Sequence, residues 1–301
     1  MSMFRKRRPL QSRSEIVLRD IVVAFLVLHM GIFLVVPVAM AFAGSFHLWN
    51  PLNGTYEWIG LDNYVRMFQY PTFWTSMVNT LVFCIVVVAF RVLLGLSLAY
   101  AITSKMTTKK TFFRTIFYMP TVTPLVAVAY VWKIMYNPQF GLIDQILGVD
   151  INWLYDSAFA LPAVMVMTIW KDFGYAVILF MSGLMSVPAD YYEAAHIDGA
   201  NAWQTFRYIT LPLLKPTMIF VVITSVISYL QAYVPVMVMT DGGPGTATFL
   251  SSYLVYDQAF VKYNFGYASA IAFFILILTA ILTVISFTVT GEKNEKRRKR
   301  A

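Results

Sequence analysis

Six stretches of this chain stay apolar long enough to cross a lipid bilayer, and each is bounded by polar or turn-forming residues. They cover 20–43, 77–103, 116–136, 159–184, 213–240 and 266–290. A hydrocarbon core about 30 Å thick needs about 20 apolar residues of helix. The pattern therefore predicts an all-α, polytopic membrane protein with six transmembrane helices. Lys133 and Lys171-Asp172 interrupt the third and fourth stretches and blur their edges, because a long lysine stem can carry its charge to an interface. Pro37 predicts a kink in the first helix.

One polar segment breaks this pattern. EAAHIDGANAWQTFRYITLPLLKP, residues 193–216, lies between the fourth and fifth apolar stretches. Pro188 suits the first turn of a helix, with Asp190 near its positive end. That helix runs over 191–197 and stops at Gly199, a good terminator. Asn201 is a fit N-cap for a second helix, with Gln204 as its capping-box partner. Trp203, Phe206 and Ile209 give this second helix an apolar stripe, and Pro212 is expected to end it before the fifth span. Ala194, Ala195, Gly199 and Ala200 are small enough to admit another surface at close range.

Composition agrees with the membrane class. Hydrophobic residues make up 59% of the 301 residues and charged ones 13%, more apolar surface than a soluble domain of this size can bury. The net charge of +8 is a topology signal. Arg5, Lys6, Arg7, Arg8, Arg13 and Arg19 precede the first span; Lys105, Lys109, Lys110 and Arg114 follow the second. Arg207 and Lys215 lie in the polar segment, and Lys293, Lys296, Arg297, Arg298, Lys299 and Arg300 follow the sixth span. The opposite connections carry only Arg66 and Lys262, beside Glu57, Asp62, Asp144, Asp150, Asp156, Asp241 and Asp257. Positive residues stay on the cytoplasmic side, which predicts cytoplasmic termini, a cytoplasmic 193–216 segment and no role in nucleic-acid binding. The organisation expected is a basic N-terminus (1–19), a six-span membrane domain (20–290) and a basic tail (291–301). The start resembles a signal peptide, but its apolar run is too long for one and its removal would break the charge alternation, so it reads as a retained span.

Little else carries chemistry. DGGPG at 241–245 is a turn cluster without the Gly-Lys-Ser/Thr of a phosphate loop. His29, His47 and His196 are scattered, Cys84 is alone in an apolar run, and no catalytic or metal-ligating set is legible.

The polar segment resembles a known motif. Glu193-Ala194-Ala195, three residues, Gly199, nine residues, then Ile209-x-Leu211-Pro212 is similar to the EAA loop of permease subunits in binding-protein-dependent ABC importers. The longer EAAHIDGANAWQTFRYITLPLL is most similar to the carbohydrate-uptake branch. IWKDFGYAVILFMSGLMSVP (169–188), NPQFGLIDQILG (137–148), TDGGPGTATFLSSYLVYDQAF (240–260) and FGYASAIAFFI (265–275) also resemble sugar permeases, and VNTLVF and LLGLSLAYAI extend the likeness in hydrophobic layout. Within the family the chain resembles the first of two non-identical permeases, the maltose-permease F type. The resemblance implies a type I importer fold in which residues 186–212 form a cytoplasmic coupling helix. Glu193, Ala194, Ala195, Asp198, Gly199, Ala200, Ile209, Leu211 and Pro212 would dock on an ATPase. It also implies a second homologous permease, two ATPase subunits that hold ATP and Mg, and an extracytoplasmic solute-binding protein. This chain itself would bind no cofactor and catalyse no covalent step.

An import path needs polar groups within the spans. Ser225, Tyr229 and Ala232 recur at helical spacing in the fifth stretch, with Tyr233 at the edge and Ser228 and Gln231 beside them. Tyrosine offers a sugar a flat face and a hydroxyl. Trp170, Lys171, Asp172 and Tyr175 add polar and aromatic groups from the fourth. By the resemblance, Tyr175, Ser225 and Tyr229 fall where maltose-permease-like subunits contact sugar, while Tyr229 and Ala232 replace amides of that pattern, against maltose itself. Each residue is equally compatible with helix packing. Two other readings stay open: the same machine importing a non-sugar such as glycerol phosphate, in which Lys171 or Arg91 would gain importance, and an ion-coupled secondary transporter, which would leave 193–212 without a role.

Overall fold

The computed structural model describes residues 13–104 and 107–298. Arg5, Lys6, Arg7, Arg8, Lys105, Lys299 and Arg300 lie outside them. Among the described residues five helices are long and apolar enough to cross a membrane: Ile16–Gly44, Pro71–Thr103, Ala160–Met185, Ala202–Leu230 and Phe265–Val284. A sixth crossing is divided between Lys110–Val122 and Leu125–Met135, which meet at 94°. The expectation of a continuous third span is thus corrected. Thr123 stands before Pro124 and is held in the extended region (φ −73°, ψ 137°), where a residue preceding proline is pushed by the ring.

Prolines redraw the other spans as well. The fifth helix stops at Leu230 and a short helix restarts at Val234–Met239, because Pro235 has no N–H to donate and its ring would strike the Gln231 carbonyl in a continuous helix. Pro212, in contrast, does not end a helix. The backbone stays helical from Ala202 to Leu230, with a π turn at Phe206–Thr210 where the Leu211 N–H donates to the Phe206 carbonyl. An equivalent wide turn at Gly31–Val35 precedes Pro37 in the first span. In both, the widened pitch absorbs the proline that follows.

The fourth span is the centre of the bundle. It packs on the second span, where Ala176, Val177 and Phe180 meet Ala99, and on the fifth at Leu214 and Val221. Phe83, Val87, Val164, Met167, Val236 and Leu250 form a second core. Gly174 lets the Lys110–Val122 helix approach so closely that any Cβ there would overlap the Phe117 carbonyl. The first span stays apart, with none of its most apolar window buried within the chain; Phe42 reaches Phe273 of the sixth span near its end.

One departure from the all-helical expectation is a short antiparallel hairpin, His47–Asn50 with Thr55–Trp58, in the register His47↔Trp58. It follows the first span, and the helix Asp62–Gln69 leads from it into the second, which begins at Pro71. Asn63 ties the hairpin down by donating to the Ser45 and His47 carbonyls. The backbone after the sixth span remains helical to Arg298.

Candidate functional site

The polar segment folds as two short helices joined by a rigid turn. Pro188 is the N-cap, one position before the first turn, and the helix covers Ala189–Ile197 with Asp190 in its first turn. Gly199 has φ +74°. Its N–H donates to the His196 carbonyl (3.1 Å) and the Ala200 N–H to the Ala195 carbonyl (2.9 Å), the paired bonds of a Schellman turn. Asn201 then opens the next helix. Its side chain accepts from the Gln204 N–H and the Gln204 side chain accepts from the Asn201 N–H, so the capping box forms as its sequence predicts.

This segment is anchored on one side and bare on the other. Ala195 is buried, Phe206 meets Tyr100 at the end of the second span with ring centroids 5.0 Å apart, and Tyr192 reaches Thr210. Ile209, Leu211, Pro212 and Ala200 are half-buried, while Glu193, Ala194, Asp198 and Gly199 are exposed. Ile197 is 85% exposed, Tyr208 75% and Trp203 69%. Apolar side chains this bare, together on one polar segment, mark an interaction surface. The second short helix continues into the fifth span as one helical path from Ala202 to Leu230.

The residues singled out for a path divide into four places. Tyr175 and Tyr229 come together around Arg91 of the second span, whose guanidinium lies 5.5 Å from one ring centroid and 5.7 Å from the other. Arg91 donates to the Tyr229 hydroxyl (3.1 Å), which donates to Asp172 Oδ2 (3.1 Å). Lys171 and Asp172 form an ion pair at 3.8 Å in the middle of the fourth span, away from its ends. Lys171 also donates to the Thr121 carbonyl, one of those released where the third span breaks. Trp170 lies against Trp132 with ring centroids 5.6 Å apart and the planes tilted by 59°, and is half-exposed. Gln231 and Tyr233 instead line a cleft with Tyr256, Phe260 and Ile275. Ser225 is fully buried, its hydroxyl donating to the Val221 carbonyl of its own helix. The helix ends before Ala232, so the fifth-span stripe does not continue through Ala232 and Tyr233.

Two polar clamps went unread in the sequence. Asn79 Nδ2 lies within hydrogen-bond reach of the Thr246, Ala247 and Phe249 carbonyls and pins the turn around DGGPG to the second span. Lys133 donates to the Val238 carbonyl at the end of the short helix after the fifth span. A polar residue inside an apolar run was the signal in both. Among the described residues no group of histidine, cysteine and carboxylate side chains could hold a metal.

A helical bundle with a broken span and an exposed helical segment between its fourth and fifth spans is the architecture of a type I ABC importer permease. The fold is shared with a bacterial ABC transporter involved in import of the acidic polysaccharide alginate (TM-score 0.82, 22% identity, covering 93% of this chain and 96% of that one). Residues 91–291 match the family described as binding-protein-dependent transport system inner membrane component. A probable ABC transporter permease protein of Pyrococcus horikoshii is 37% identical over 274 residues, covering 89% of this chain and 93% of the relative. The trehalose/maltose transport system permease protein of Thermococcus litoralis is 36% identical over 265 residues, covering 86% of each. The chain belongs to the inner-membrane component family of binding-protein-dependent ABC transporters and to its sugar-type branch. It is the multi-pass permease of the importer, a transport component and not a catalytic one.

Proposed function

We propose that this permease moves a sugar or oligosaccharide across the cytoplasmic membrane, driven by ATPase subunits that dock on residues 193–212. The observation that carries the reading is the continuity of the docking segment with the fifth span: the capping box at Asn201, the π turn and Tyr229 lie on one helical path. A nucleotide-driven movement of the ATPase would tilt that path and reposition Tyr229 against Tyr175. Relatives named for trehalose/maltose, lactose and diacetylchitobiose transport support the carbohydrate class.

In this account a second homologous permease completes the pathway. Two ATPase subunits hold ATP and Mg on the cytoplasmic side, and an extracytoplasmic binding protein delivers solute at the hairpin end. Both termini face the cytoplasm. Coupling then requires only that solute and nucleotide favour different members of one conformational equilibrium. The test is reconstitution of the four components in liposomes and measurement of uptake of labelled disaccharides. Accumulation that needs ATP and the binding protein supports the reading. Uptake that follows an ion gradient and ignores ATP overturns it.

A further inference from the structure

Arg91 is 7% exposed and sits two-thirds of the way along the second span. Its Nη1 donates to Tyr229, while its buried Nε has no acceptor among the described residues, nor does the guanidinium belong to any ion pair there. The carboxylate nearest in the network, Asp172, is reached only through the Tyr229 hydroxyl and is already paired with Lys171. Two cations thus share one carboxylate at membrane depth. A buried cation without a counter-charge is expensive, and two tyrosine faces offset only part of that cost.

We infer that the missing counter-charge is supplied by the transported solute, and that this permease carries an anionic sugar whose carboxylate pairs with Arg91. The inference rests on the carbohydrate-importer reading above and names its substrate class. The approach lies through Tyr175: its ring covers the guanidinium (5.5 Å from the centroid) and is itself 37% exposed, while Trp170, five residues away on the same span, is 42% exposed. Withdrawal of the Tyr175 ring uncovers a planar guanidinium with free N–H groups, the geometry that binds a carboxylate in two parallel bonds. The tyrosine rings on either side would flank the sugar ring while Arg91 takes its acid. A neutral sugar would leave the cation as it is now, so a site built this way rejects the analogue that lacks the partner group.

The experiment compares disaccharides containing glucuronic, galacturonic or mannuronic acid with their carboxyl-reduced neutral counterparts. It uses the whole importer in liposomes and also direct binding to the detergent-purified complex, which removes selection by the binding protein. The native complex should favour acid over neutral counterpart by about tenfold or more, the scale of one charge-assisted hydrogen bond. R91Q should bring the ratio close to one, and R91K should retain part of it. A native complex that prefers the neutral series overturns the inference, whatever R91Q does to assembly, as does an R91Q complex with the native ratio. Carriage of neither series overturns the inference; ATP-dependent uptake of another sugar by the same complex would then leave the carbohydrate reading standing, and its absence would remove that reading too.

Discussion

Gly199 has φ +74° and nothing within 4 Å of where a Cβ would stand, so a substitution there changes backbone strain and little else inside the chain. An L side chain in the left-handed region costs about 1–2 kcal/mol, and the ratio of the Schellman turn that sets the angle between the two short helices to its alternatives would fall by about 5- to 30-fold. If ATPase docking reads that angle, the affinity of the ATPase subunit for the permease should fall in Gly199→Ala, by up to the same factor. Gly199→Asn should lose less, since asparagine tolerates the left-handed region. Membrane insertion and the bundle should be unaffected, because the turn is exposed. The sequence suggests that a bulkier residue such as leucine would fill the break between the helices; the open space around Gly199 makes Gly199→Leu equivalent to Gly199→Ala within this chain. Any loss beyond that of alanine would then report a contact made by the partner. The assay is titration of the purified permease pair with ATPase subunit, alongside substrate-stimulated ATP hydrolysis. Native affinity for both Gly199→Ala and Gly199→Leu would refute the reasoning.

Two further substitutions separate the path from the scaffold. Tyr229→Phe removes the hydroxyl between Arg91 and Asp172 and leaves the buried Arg91 and the part-buried Asp172 each short of one hydrogen bond, at a cost of about 1–3 kcal/mol; solute uptake should drop while co-purification with the ATPase is unchanged, read by uptake and pull-down on one preparation. Gly174→Ala places a methyl group on the Phe117 carbonyl, backbone that cannot turn aside, so the yield of monodisperse complex should collapse, against overpacking penalties of about 1–3 kcal/mol where neighbours can yield; size-exclusion chromatography in detergent checks it.

The parts legible in the sequence were those decided by neighbours in the chain. Gly199, Asn201 and Gln204 gave the turn and the capping box because cap chemistry is local. The six apolar stretches gave the crossings because bilayer thickness sets a length. The breaks in the third and fifth stretches were missed because hydropathy is blind to them: Pro124 and Pro235 sit in runs that stay apolar on both sides, and the signal was proline identity, not polarity. Pro212 misled in the opposite direction, since a π turn let the helix pass through it. The hairpin, His47–Asn50 with Thr55–Trp58, lies inside the connection between the first two apolar stretches, where span length and hydropathy carry no signal for a strand. The Arg91–Tyr229–Asp172 network joins residues of the second, fifth and fourth spans, and no local pattern reports a contact that distant. Gly174 has the same character, because its partner is backbone of another helix.

The most direct test of the central claim is native mass spectrometry of the complex extracted from its own membranes. The account predicts one copy of this chain with one homologous permease and two ATPase subunits, and loss of the ATPase when residues 193–212 are replaced by a flexible linker. A stable assembly of this chain alone, without an ATPase in any detergent, would contradict it.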